Sequence, residues 1–169
     1  VSKTARATYD IVRTSNQYAL KADATPNVAY ASTQKILVDG KTVAFPTYAL
    51  KDANGNETNY VNLRDVASVL NGTKSQFEVG YTNGTITMKT GTAYTATGSE
   101  LKSHFNGNQT YQGSFAAVTV NGRNVDPSAI VLTDANGGDY TYFKLRDLGT
   151  DLGFTVDYVN NQITVTSAK

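Results

Sequence analysis

The chain has 169 residues, with 15 basic and 14 acidic side chains, one histidine, one methionine and neither cysteine nor tryptophan. The near balance of charge and the lack of any basic run exclude the electrostatic footprint of nucleic-acid binding, and the absence of cysteine excludes disulfides, zinc thiolates and thiol chemistry. Apolar runs are only a few residues long, so no segment is expected to insert into a membrane.

Residues 1–33 predict an N-terminal helix and a linker. Ala5, Tyr9, Val12 and Ala19 lie near helical spacing, with Lys3, Arg6, Arg13 and Lys21 largely on the other side. The helix should end before Pro26, because proline disfavours helix in the residue preceding it. It reads either as the tail of an upstream domain or as a brace packed on the first downstream module. The start at Val1, with no initiator Met or signal segment, reads as a piece cut from a longer precursor.

From there on the chain says the same thing twice. Val38 to Asn71 aligns without a gap on Val120 to Gly153, and Phe77 to Thr90 aligns on Phe154 to Ser167, with 19 identities in 48 pairs. An internal repeat defines the structural unit before any residue is read for chemistry. It sets the boundaries as a first repeat at 34–91, a connector at 92–116 and a second repeat at 117–169.

Each repeat opens on a hairpin, with Asp39-Gly40 or Asn121-Gly122 between strand-like runs. A type I′ turn needs positive φ at both central positions, which Asn, Asp and Gly adopt at least cost. A third strand comes after the turn Asp52-Ala53-Asn54-Gly55 or Asp134-Ala135-Asn136-Gly137. A short helix then runs from about Arg64 to Leu70 and from Arg146 to Leu152. Leu63, Val66, Ala67 and Leu70 share one face, as do Leu145, Leu148, Gly149 and Leu152. Asp65 and Asp147 occupy the first turn, where the helix dipole favours a carboxylate, and Gly72 and Gly153 mark the ends. A last hairpin turns at Asn83-Gly84 or Asn160-Asn161. The expected fold is therefore α+β: two tandem repeats in ββ-β-α-ββ order, each an antiparallel sheet wrapped on one short helix, preceded by the N-terminal helix.

The runs V-D-G-K-x-V, Y-A-L-x-D-A-N-G and Y-V-N-L-R-D-V-A-S-V-L-N-G, echoed by Tyr142-Phe143-Lys144-Leu145-Arg146-Asp147-Leu148-Gly149, resemble the bacterial copper amine oxidase N-terminal domain-like, or stalk domain, family. The resemblance spans about residues 34–168 and implies tandem modules attached to secreted or wall-associated bacterial proteins. It does not imply amine oxidation, whose copper and quinone belong to a different domain of those enzymes.

The residues themselves carry little catalytic chemistry. His104, Met88 and the absence of cysteine leave no ligand cluster for copper or zinc, and one histidine leaves no convergent Ser-His-Asp or Cys-His set. No catalytic, cofactor-binding or metal-binding residue and no cofactor is therefore expected. The recurrent Leu-Arg-Asp triplets would make Arg64 and Arg146 anion forks on a functional reading. Their identical place in both copies points instead to a role in folding. The Asp-Ala-Asn-Gly loops echo half of a calcium loop, but a turn explains them more simply.

Tyrosine is in surplus, with 11 copies. Tyr60, Tyr81, Tyr142 and Tyr158 recur at equivalent positions and are expected to pack, leaving Tyr94, Tyr111 and Tyr140 as the candidates for a ligand surface. The function expected is that of a non-catalytic accessory module of an exported bacterial enzyme or surface protein. It would position its partner at the cell envelope or on a glycan or cell-wall polymer. The alternatives are part of a secreted hydrolase with its catalytic domain upstream, or a structural spacer or self-association module.

Overall fold

The computed structural model describes residues 27–168, and the helix expected in the N-terminal segment lies outside them. Of the described residues 51% are in strands and 11% in helices, so the protein is mostly β, built on two sheets. The α+β expectation of helix-wrapped repeats is corrected accordingly. The reason is one of size. Helices α1 (Leu63–Leu70) and α2 (Leu145–Leu152) have eight residues each, about two turns and ~12 Å. Such a helix offers one narrow apolar stripe, too little for a five-stranded sheet to wrap. The strands find most of their burial against each other.

The first repeat contains β1 (Val28–Val38), β2 (Lys41–Lys51), β3 (Glu57–Asn62), α1, β4 (Phe77–Thr82) and β5 (Thr85–Thr90). After the short pieces β6 (Gln109–Thr110) and β7 (Gln112–Gly113), the second contains β8 (Ala117–Val120), β9 (Arg123–Val125), β10 (Ala129–Thr133), β11 (Asp139–Lys144), α2, β12 (Thr155–Val159) and β13 (Gln162–Thr166). The hairpin turns have the expected backbone: φ is 48° and 84° at Asp39-Gly40, and 54° and 80° at Asn121-Gly122.

The repeats are not separate beads. The last strand of each pairs in parallel with the first strand of the other: β13 lies on β1 with Ile163 opposite Ile36, and β5 lies on β8 with Ile86 opposite Val118. Those two pairs are equivalent under the repeat alignment. At the centre β3 pairs with β11, and Val61 faces Phe143, its own counterpart. The molecule therefore has an internal pseudo-twofold axis through that pair, and each copy completes the other's sheet.

The turn residues Asp39 and Asn121 fasten the exchange. The Asp39 amide donates to the Val165 carbonyl at 2.9 Å, and its carboxylate accepts from the Ser167 amide at 2.8 Å. Asn121 repeats both bonds, to the Met88 carbonyl at 2.9 Å and from the Thr90 amide at 3.0 Å. An Asx side chain at this place thus serves the turn and the neighbouring repeat together.

Two cores result. The antiparallel path β1-β2-β3-β11-β10-β7 runs on along the chain into β6, which pairs with β1, so that with β6 and β7 counted as one interrupted strand a six-membered ring closes. Tyr48, Leu50, Tyr60, Ile130, Leu132 and Tyr142 form its buried cluster, with Tyr48 and Tyr142 edge-to-face at 5.4 Å. Burial, and then the neighbouring Tyr48, raise the Tyr142 hydroxyl above its ordinary pKa. The larger core draws on both copies at once: Ile36, Leu63, Leu70 and Phe77 from the first, and Leu145, Leu148, Leu152, Phe154 and Ile163 from the second.

The apolar faces of the two helices differ at two buried positions, Val66 against Leu148 and Ala67 against Gly149. Ala67 of α1 is replaced by Gly149 in α2, and a Cβ there would stand 2.6 Å from the Phe154 carbonyl oxygen. Helix propensity alone favours Gly→Ala by roughly 0.5–1 kcal/mol, but the obstructing atom is backbone and cannot rotate away. Gly149→Ala is therefore expected to destabilise by about 1–3 kcal/mol, read as a lower urea midpoint. An unchanged or higher midpoint would show that α2 can back away from β12.

Candidate functional site

A cleft of about 690 Å³ opens where the second copy departs from the first. In repeat 1 the residues Ser32–Gln34 continue β1 without a break, paired to β2 at Thr33–Pro46 and Gln34–Phe45. Their counterparts Ser114, Phe115 and Ala116 leave the sheet between β7 and β8 and line the cleft. Asn62, Leu63 and Arg64 at the β3–α1 junction, Phe143 of β11, and Val79, Gly80, Tyr81 and Ile86 of the β4–β5 hairpin line it. Val131, Asp139, Tyr140 and Thr141 of β10 and β11 also line it, as do Thr97, Ser99, Glu100 and His104 of the connector.

Aromatic rings dominate the rim. Tyr81 and Phe115 are each 69% exposed. His104 stacks on Tyr140 with ring centroids 4.5 Å apart and planes 17° apart. Phe105 meets Tyr140 edge-on at 5.5 Å, which seats the connector over the tyrosine ring below.

Asp65 holds the connector in place. In the second copy the Asp147 carboxylate accepts from the Ser128 amide at 2.8 Å. The residue equivalent to Ser128 is Pro46, which has no N–H to give. Asp65 accepts instead from the Leu101 amide at 2.7 Å, and Leu101 sits in the left-handed region at φ 64°. Glu100 completes this latch: it accepts from the Tyr94 hydroxyl at 2.5 Å, the Thr97 amide at 2.7 Å and the Gly98 amide at 3.0 Å.

The two carboxylates titrate in opposite directions. Desolvation dominates at Asp65 and outweighs the Leu101 bond, and nearby Glu100 adds to it, so the carboxyl is pushed up to about 6. At Glu100 partial desolvation is overcome by the bonds from Tyr94 and Thr97, which bring it down to about 2. Between about pH 4 and 6 the folded chain binds the Asp65 proton more tightly than the unfolded chain does. Stability due to Asp65 is thus full at low pH and lost as pH rises through 6, a difference of about 3 kcal/mol for two pKa units. The Glu100 contribution runs the other way and is lost as pH falls from about 4.5 towards 2. Asp65→Asn keeps an oxygen for Leu101 and removes the charge. It is expected to raise the melting temperature at pH 7 and flatten the slope between pH 4 and 6. A slope identical to that of the parent chain would place its origin elsewhere.

The three tyrosines expected at a ligand surface are divided. Tyr140 lines the cleft and is half-buried. Tyr111 is half-buried against the ring cluster, away from the cleft lining. Tyr94 is 6% exposed; its amide donates to Asn71 and its hydroxyl binds Glu100. The recurrent pairs divide as well: Tyr60 and Tyr142 are buried as expected, whereas Tyr81 and Tyr158 are 69% and 64% exposed. Recurrence signals a shared backbone environment, and at the tip of a hairpin that environment is solvent. Phe115, Tyr81 and His104 were not legible as a cluster, since they come from three separate segments.

The arginines also part ways. Arg146 Nη1 donates to the Val156 carbonyl at 2.8 Å and ties α2 to β12. Arg64 reaches the Tyr94 hydroxyl only at 3.5 Å and lines the cleft. In the Asp-Ala-Asn-Gly loops, Asp52 accepts from the Asn54 and Asn56 amides and Asp134 from those of Asn136 and Gly138, so the carboxylates close their own turns. Among the described residues no group of three His, Cys, Asp or Glu side chains is placed to hold a metal. No described helix is long and apolar enough to cross a membrane. The chain matches no protein-family model, no curated protein and no solved structure in comparison.

Proposed function

We propose that this chain is a non-catalytic accessory module of an exported bacterial enzyme or surface protein, holding its partner on a glycan of the cell envelope or of a polymeric substrate. The observation that carries the reading is the cleft: an open trough rimmed by Tyr81, Phe115 and the His104–Tyr140 stack, with Asp139, Glu100 and Arg64 among them. Its size falls in the ~300–1,000 Å³ typical of ligand sites. Flat rings give sugars apolar faces to stack on, and the polar groups between them give hydroxyls partners. The cysteine-free, Thr- and Asn-rich composition and the resemblance to stalk domains support export. A cleft with one half-buried histidine and carboxylates already engaged in loop bonds suits binding better than turnover.

The test is pull-down on insoluble peptidoglycan, chitin and mucin, then titration of soluble fragments with tyrosine fluorescence as readout. Saturable binding is expected. Tyr81→Ala and Phe115→Ala should each weaken it about threefold to tenfold, the ~0.5–1.5 kcal/mol of an aromatic contact. No binding to any of the three polymers would remove the glycan reading and leave a spacer.

A further inference from the structure

We propose that the preferred occupant of the cleft is a saccharide bearing free, positively charged amino groups. The inference rests on the glycan reading above and adds a charge to it. Three carboxylates line the cleft, on Asp65, Glu100 and Asp139, against the single guanidinium of Arg64, and no lysine is among the described lining residues. With His104 neutral and Arg64, Glu100 and Asp139 ionised the formal charge is −1, and it becomes −2 as Asp65 gives up its proton above about pH 6.

Their positions keep that charge in the cleft. Asp65 is 2% exposed and engages the neutral Leu101 amide. Glu100 engages the neutral Tyr94, Thr97 and Gly98 groups. Asp139, at the start of β11, is exposed and accepts from the Thr133 hydroxyl at 2.6 Å. Each of these bonds orients a carboxylate without supplying a countercharge. Glu78 lies outside the lining, and its carboxyl is lowered chiefly by the Thr95 hydroxyl and amide and least by Arg64. The rings point to the same class of ligand. The rings of Tyr81 and Phe115, and the face of Tyr140 that the stacked His104 does not cover, attract cations through their quadrupoles, most strongly where water is thinned. An acidic sugar would meet repulsion, and a fully acetylated one would stack on the rings while leaving the carboxylates unanswered. A glucosamine-type unit satisfies both: its ring face lies on the aromatics and its ammonium faces Asp139 and Glu100.

The experiment is calorimetric titration of the full chain at about pH 6 and low salt with two probes of equal length, a glucosamine oligomer and its N-acetylated counterpart. The amino oligomer is expected to bind about tenfold tighter, and the preference should shrink as salt is raised. Asp139→Asn should cut it about threefold. Tyr158→Ala, the equivalent position outside the cleft, should leave it unchanged. Equal or tighter binding of the acetylated oligomer overturns the charge inference while the glycan reading stands. Binding of neither, together with no binding to the insoluble polymers, overturns both. A preference that survives Asp139→Asn and Tyr81→Ala intact, in variants of unchanged melting temperature, places the amine elsewhere and also overturns it.

Discussion

Leu70→Ala and Leu152→Ala are each expected to destabilise the molecule by about 2–5 kcal/mol, the cost of a cavity at a close-packed site. Both side chains lie in the larger core, 0% and 6% exposed, at the last turn of their helices. The location of the loss is as informative as its size. Because β13 completes the first repeat's sheet and β5 the second's, removing Leu152 should reduce amide protection in β1 and β2 as well as in its own repeat. A single unfolding transition is expected for the described region in both variants. Hydrogen exchange that falls only within the mutated repeat would show two independent beads and refute the shared core.

Phe143→Ala should cost still more, about 3–5 kcal/mol. Phe143 is 1% exposed, sits on the pseudo-twofold axis opposite Val61, and packs in the core common to both copies. There is no second Phe143 to absorb the loss: its counterpart Val61 is smaller and already fully buried. Urea denaturation measures the effect. Phe143→Leu, which restores most of the volume, should recover more than half of it. A loss under about 1 kcal/mol in Phe143→Ala, well below the usual cost of such a truncation, would mean that the centre of the β3–β11 pairing is loosely packed. Since the ring also lines the cleft, the Ala variant should enlarge it, and glycan affinity should be compared only while the variant remains folded.

Much of the local structure was legible because it obeys short-range rules. The turn at Asp39-Gly40 requires positive φ, the apolar spacing of Leu63, Val66 and Leu70 requires a helical face, and both are realised. The cleft was not legible in the same way. Asp65 and Asp147 look alike in sequence, and their different partners arise from Pro46 standing where the other copy has Ser128. Tyr81 and Tyr158 were expected to pack because they recur, yet among the described residues no element covers them.

The sequence by itself determined that the chain is two copies of one unit, with hairpins at its ends and a two-turn helix in its middle. It did not determine which strands meet. The pairing of Ile36 with Ile163 joins residues at opposite ends of the described chain, and nothing in either neighbourhood encodes the other. The rule for a parallel pair is only that the burial of both faces be shared. Tertiary structure settled that question, and with it the class of the fold. Two short helices could not bury the apolar faces of separate sheets, whereas exchange of the end strands let both copies close one core.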